Sequence, residues 1–132
     1  MDTVYIAFAL FLLVTAYNYL KPKEKRVYTS LKTDEAWDMI TGEDDIVIID
    51  VRGREEYNKR HIRNARNIPI DQIEKRKGSL PKDKDILVYC QNGSRSIRAI
   101  RVLEVSGFTR LYHMHEGLRG WTQAGHPVTG AK

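Results

Sequence analysis

The sequence predicts an α/β domain with a largely parallel, helix-covered sheet, preceded by one apolar helix. Three observations carry this. Short apolar runs alternate with stretches of helical periodicity, at spacings too long for simple hairpins. Ile46-Val47-Ile48-Ile49-Asp50 opens with an uninterrupted β-branched run, the kind buried on both faces of a central parallel strand. Val4 to Leu20 holds no charged residue, whereas 30% of the whole chain is charged. With 132 residues, 42% of them hydrophobic, the chain can bury one modest core and not a second of comparable size.

Thr3 to Leu20 would span roughly 27 Å as a helix, close to the thickness of a bilayer core. Tyr5 near one end and Tyr17 and Tyr19 near the other fit interfacial aromatics, and the basic cluster Lys21 to Arg26 follows at once. No Lys or Arg precedes the span, so the positive-inside rule points the rest of the chain to the cytoplasm. The competing reading is an exported protein whose signal peptide is cleaved, with Val14-Thr15-Ala16 as a small-residue cleavage site; Asp2 and the lack of a basic n-region favour a single-pass anchor. The division is therefore a transmembrane anchor at 1–20, a basic linker at 21–27 in which Pro22 disfavours helix, a domain at 28–128 and a tail at 129–132.

Within the domain, Thr33 is the expected N-cap of a helix that buries Ala36, Met39 and Ile40 and stops at Gly42. The strand Ile46 to Asp50 follows, then a short helix from Arg54 to Asn58 and a short strand from Ala65 to Ile68 before Pro69. Asp71 to Lys77 reads as a basic surface helix closed by Gly78, and Lys82 to Asp85 as a charged turn before the strand Ile86 to Tyr89. Ile97, Ile100 and Leu103 recur at helical spacing up to Ser106, and Gly107 supplies the stop. Leu111 to Met114 is a last strand, followed by a helix from Leu118 to Gln123 and a turn at Gly125-His126-Pro127.

The formal charge of +5 suits an anionic substrate or a membrane surface and does not require nucleic acid. A single cysteine, Cys90, excludes an intramolecular disulfide, a Cys-only metal site and an internal resolving thiol. His113, His115 and His126 are spaced unlike a zinc motif, so neither a metal nor another cofactor is expected. Cys90 lies where an apolar strand gives way to a helix. Backbone N–H groups without intrahelical partners and the helix dipole favour an anion there, which shifts a thiol toward the nucleophilic thiolate. Asn92-Gly93 and Arg95 make the flanking segment a polar loop, unlike the surroundings of a thiol packed as a hydrophobe. Gly93 permits an unusual backbone angle, so that successive N–H groups can curl into a cradle. Asp50 and Arg52 fall at a second strand end, and strand carboxyl ends form the ligand crevice of a parallel sheet.

Asp50-Val51-Arg52, Glu56-Tyr57, His61-Ile62, Ala65 with Asn67-Ile68-Pro69, Val88-Tyr89-Cys90 with Gly93 and Arg95-Ser96, and Gly117 with Trp121 together resemble a single-domain rhodanese, over roughly Tyr28 to Val128. The resemblance implies a five-stranded parallel sheet flanked by helices and a sulfurtransferase activity. Cys90 would take sulfane sulfur from a donor such as thiosulfate and pass it, as a persulfide, to an acceptor thiol, cyanide or a protein. The N–H groups of Gln91, Asn92, Gly93, Ser94 and Ser96 would stabilise the persulfide anion, and Arg95 would pair with the donor's sulfonate. Asp50 and Arg52 are candidate pocket residues better suited to tying the strand end to neighbouring loops. His61 and Trp121 are expected to be structural.

Three positions depart from the family pattern. Arg60, Asn64 and Glu116 stand where glycine is usual, which suggests altered local turns, and a Glu116 carboxylate beside the loop would weaken binding of a dianion. The alternatives are a small oxyanion enzyme, phosphatase or arsenate reductase-like, and a non-catalytic binding module. Only four residues separate Cys90 from Arg95, whereas the oxyanion enzymes need five to surround a tetrahedral group.

Overall fold

The computed structural model describes residues 2–22 and 26–130. The chain runs α1 (Thr3–Leu20), β1 (Tyr28–Leu31), α2 (Thr33–Gly42), β2 (Val47–Asp50), α3 (Arg54–Lys59), β3 (Arg66–Asn67), α4 (Ile73–Arg76) between two 3-10 turns, β4 (Ile86–Tyr89), α5 (Ser94–Val105), β5 (Leu111–Met114) and α6 (Gly117–Gln123). The five strands form one parallel sheet in the order β1-β5-β4-β2-β3. β4 is the middle strand, and every residue of β2 and β4 is buried, as their continuous apolar character requires.

Alternation along the strands sorts the core into two layers. On one face Val47, Ile49, Val51, Ile86, Val88, Cys90 and Leu111 pack against Ile73 of α4 and Ala99, Ile100 and Leu103 of α5. On the other, Ile48, Leu87, Tyr89 and Met114 meet Ala36 of α2 and Leu118 and Trp121 of α6. α5 ends as its sequence demands. Gly107 turns left-handed at φ 90, its N–H donates to the Glu104 carbonyl at 3.0 Å, and the Phe108 N–H donates to the Leu103 carbonyl at 3.1 Å.

Several expectations are corrected. No strand is expected from sequence at Tyr28–Leu31, where Thr29 and Ser30 are exposed; pairing with β5 defines β1 there. Thr33 is the first helical residue, and Lys32 is the cap, its N–H bonded to the Glu35 carboxylate at 2.9 Å. The surface helix is a single α-turn, Ile73–Arg76, flanked by 3-10 turns at Ile70–Gln72 and Lys77–Ser79. The expected tail is tied down at its start: Thr129 and His61 exchange both backbone hydrogen bonds, at 2.7 and 2.9 Å. The three departures from glycine cost little. Arg60 is extended (φ −166) and Glu116 is right-handed helical (φ −76), while Asn64 takes the left-handed angle (φ 68) that Asn tolerates.

α1 is apolar around its whole circumference, with mean hydropathy 1.7, and none of its residues is buried. By length and composition it can cross a membrane or serve as a signal sequence. At Val27 the chain is pinned to the domain by an N–H bond to the Glu104 carboxylate, 3.2 Å, and it enters the sheet at the start of β1. Because all strands are parallel, that entry lies at the opposite end of the sheet from Cys90, which follows the last residue of β4.

Candidate active site

Cys90 is the first residue beyond the central strand, and two glycines shape what happens next. Gly93 caps α5 in a left-handed conformation (φ 93), and a Cβ there would lie 2.3 Å from the His115 carbonyl oxygen. Gly117 (φ 65) allows the turn after β5 to press on the Cys90 loop, where a Cβ would come within 2.4 Å of the Gln91 carbonyl oxygen. The two N–H groups that follow, of Leu118 and Arg119, donate to the carbonyls of Cys90 and Gln91 at 2.8 and 3.1 Å. The start of α6 thus takes up the loop carbonyls, while loop N–H groups turn inward to the sulfur.

The Cys90 Sγ accepts from the Gly93 N–H at 3.1 Å and the Ser96 N–H at 3.3 Å, and lies 3.2 Å from the Ser96 Oγ. The residue is fully buried. Burial pushes the thiol's pKa up, but the Ser96 hydroxyl and the N–H groups of Ser96, Asn92 and Gly93 outweigh it and hold the thiol below its ordinary value. The site therefore favours a sulfur anion in a dry pocket lined by donors, the arrangement that stabilises developing charge.

Of the candidates named from sequence, Gly93 and Ser96 meet at the sulfur. Asn92 directs its side chain elsewhere, its Oδ1 accepting from the Ser94 N–H at 3.2 Å and the Ser94 hydroxyl at 2.9 Å. The Gln91 Oε1 accepts from the Arg52 Nη1 at 3.5 Å. Arg95 is half-buried and held in a two-pronged pair with Glu56, at 2.7 and 3.0 Å. That pair raises the Arg95 pKa and holds the Glu56 carboxyl below the usual carboxylate range. Glu56 is thus the carboxylate beside the loop.

Glu116 is not. Its carboxylate reaches the other way, accepting from the Thr33 N–H at 3.3 Å at the positive end of α2. Asp50 and Arg52 form a buried pair of their own, Nη2 to Oδ2 at 2.8 Å with Nε 3.1 Å from both oxygens. Arg52 also donates to the Arg60 carbonyl at 2.6 Å, and Asn67 donates to the carbonyls of Asp50 and Arg52 at 3.1 and 2.9 Å. This cluster ties the ends of β2 and β3 to the Cys90 loop without touching the sulfur. His61 is structural: its Nδ1 lies 2.7 Å from the Tyr57 carbonyl, and its ring stacks on Tyr57 with centroids 3.7 Å apart. Trp121 is core, its indole N–H donating to the Pro127 carbonyl at 2.9 Å.

Sequence reasoning assigned no role to His113, yet its Nε2 lies 2.6 Å from the Ser96 Oγ. The signal was present in the strand period: Leu111 and His113 share the face that carries Cys90.

The rhodanese-like domain family model matches residues 32–124. An uncharacterized protein of Bacillus subtilis, YqhL, is 35% identical over 118 residues, 89% of this chain and 90% of that protein. The thiosulfate sulfurtransferase GlpE of Coxiella burnetii is 32% identical over 105 residues, 80% of this chain and 96% of that protein. Among solved structures, a rhodanese-related protein from Thermoplasma volcanium superposes with a TM-score of 0.71 at 28% identity, covering 77% of this chain and 98% of that one. With a cysteine cradled by loop N–H groups at the end of the middle strand of a five-stranded parallel sheet, the chain belongs to the rhodanese-like family.

Proposed function

We propose that the protein is a sulfurtransferase that carries sulfane sulfur on Cys90. The Cys90 thiolate attacks the outer sulfur of a donor such as thiosulfate; the donor's S–S bond breaks, its electron pair leaves on sulfite, and Cys90 is left as the persulfide anion. An acceptor thiolate then attacks the outer persulfide sulfur, and the electron pair returns to Cys90. The observation that carries this reading is the fully buried Sγ receiving Gly93 and Ser96 N–H groups in a loop with only four residues before Arg95. Relatives named thiosulfate sulfurtransferase and putative sulfur carrier protein support it. The test is incubation of the full chain in detergent with thiosulfate, read by intact mass. One added sulfur that a thiol or cyanide removes is the expected result. No gain with thiosulfate or another sulfane donor, together with phosphate release from an aryl phosphate, would favour the oxyanion alternative.

Arg95 is the group for the donor's anionic end. A planar fork already ordered by Glu56 can present its remaining edge to a sulfonate, which a lysine ammonium cannot reproduce. Arg95→Lys is expected to raise KM for thiosulfate about tenfold, from loss of one charge-assisted hydrogen bond, with the thermal midpoint little changed because the pair is half-exposed. Unchanged thiosulfate kinetics would remove Arg95 from the donor site.

In this reading α1 is a single-pass anchor, and the basic segment after it keeps the domain in the cytoplasm. Since the chain enters the sheet opposite the Cys90 loop, the anchor holds the domain by its far end and leaves the catalytic loop open to soluble acceptors. Protease added to sealed inverted vesicles is expected to digest the domain; protection there, or a mature chain beginning near Tyr17, would overturn the topology.

A further inference from the structure

We propose that His113 is a positioning residue for Cys90, its Nε2–H held on the Ser96 hydroxyl so that the Ser96 proton is aimed at the catalytic sulfur. The proposal rests on the reading of Cys90 as the sulfur-carrying nucleophile and adds a residue to that site. The Ser96 Oγ has one proton to give and three acceptors within reach: the Gly93 carbonyl at 3.2 Å, the His113 Nε2 at 2.6 Å and the Cys90 Sγ at 3.2 Å. Which acceptor receives it decides whether the sulfur faces a donor or a lone pair. A bare Nε2, the nearest of the three, would take the Ser96 proton and turn oxygen lone pairs toward a thiolate. A protonated Nε2 donates to Oγ instead, and the hydroxyl proton goes to the strongest remaining acceptor, the sulfur anion.

The surroundings hold the imidazole in place and neutral. His113 is buried on β5, between β1 and β4, with the Tyr28 ring edge-on at 6.2 Å. Burial first, and His115 two residues along the strand second, push its pKa down to about 4, against a smaller upward pull from the Gly93 carbonyl. At neutral pH the ring carries one proton. Neither ring nitrogen can lend a charge to the site, so the influence of His113 on Cys90 passes through the Ser96 hydroxyl.

The experiment is a thiolate-absorbance titration of the full chain in detergent micelles, with the Cys90→Ser signal subtracted. His113→Leu and Ser96→Ala are each expected to move the Cys90 midpoint upward, leaving several-fold less thiolate at neutral pH. The double variant should match Ser96→Ala alone, and His113→Gln, whose amide N–H reaches the same place, should return the midpoint toward that of the unmodified protein. A merely structural histidine would not give that pattern. A His113→Leu midpoint equal to the unmodified value overturns the proposal. Should His113→Leu fail to fold, two-bond nitrogen–proton NMR on the unmodified protein decides: a protonated Nε2 supports the proposal and a bare one overturns it. Sulfur uptake is scored separately. A His113-dependent midpoint without uptake would defeat the sulfur-transfer reading alone, and uptake with a His113-independent midpoint would defeat this proposal alone.

Discussion

Cys90→Ser is expected to abolish sulfur uptake, lowering the rate of sulfite release from thiosulfate by about four orders of magnitude or more. The substitution is nearly isosteric, and the same N–H groups of Gly93 and Ser96 remain to receive the oxygen. What is lost is the nucleophile. Together with the Ser96 hydroxyl and the Asn92 N–H, those donors hold a thiol below its ordinary pKa, whereas an alcohol stays protonated near neutrality and forms no stable persulfide equivalent. The chain has no second cysteine to take over the cargo. Intact mass after thiosulfate treatment checks the outcome, with the thermal midpoint measured in parallel to show that the domain remains folded. Persistent uptake of one sulfur by Cys90→Ser would show that the sulfur is not carried at this position.

The parts of this fold that could be read from sequence are those whose environment is set locally. β2 and β4 announce themselves because both of their faces are buried, so nearly every side chain must be apolar. α5 shows its apolar period at Ile97, Ile100 and Leu103, of which Ile100 and Leu103 are buried and Ile97 only partly so, although the helix starts earlier, at Ser94, because Gly93 supplies the turn. β1 is illegible for the opposite reason: as an edge strand it exposes Thr29 and Ser30, and only its pairing with β5 makes it a strand. The Cys90 loop is legible as a run of residue types from Cys90 to Ser96. Its partners are not, since Glu56 lies 39 positions from Arg95 and His113 lies 17 from Ser96. Both contacts depend on strand order, which sets β4 between β2, whose following helix carries Glu56, and β5, which carries His113. Glu116 misleads in the same way. Its neighbours in sequence suggest the loop, but the N-terminus of α2 is packed close enough to claim its carboxylate.

A buried ion pair closes the end of β2. Asp50→Ala is expected to destabilise the domain by about 3–5 kcal/mol, a large share of the roughly 5–15 kcal/mol that holds a domain of this kind together. Asp50 is completely buried and Arg52 is only 3% exposed, so removing the carboxylate leaves a buried guanidinium without its paired charge. The remaining acceptors for Arg52, the Arg60 carbonyl and the Gln91 side chain, carry no charge. Urea unfolding followed by the near-ultraviolet signal of Trp37 and Trp121 should show the midpoint fall with the slope unchanged. The origin of the loss can be isolated, because a buried pair replaced by apolar side chains costs far less than one partner removed. Asp50→Ala combined with Arg52→Met is therefore expected to recover a large part of the stability lost by Asp50→Ala alone. If the single variant unfolds within about 1 kcal/mol of the unmodified protein, a typical loss for a point mutant, the guanidinium finds solvent after all, and the pair is not what closes the ends of β2 and β3 over the Cys90 loop.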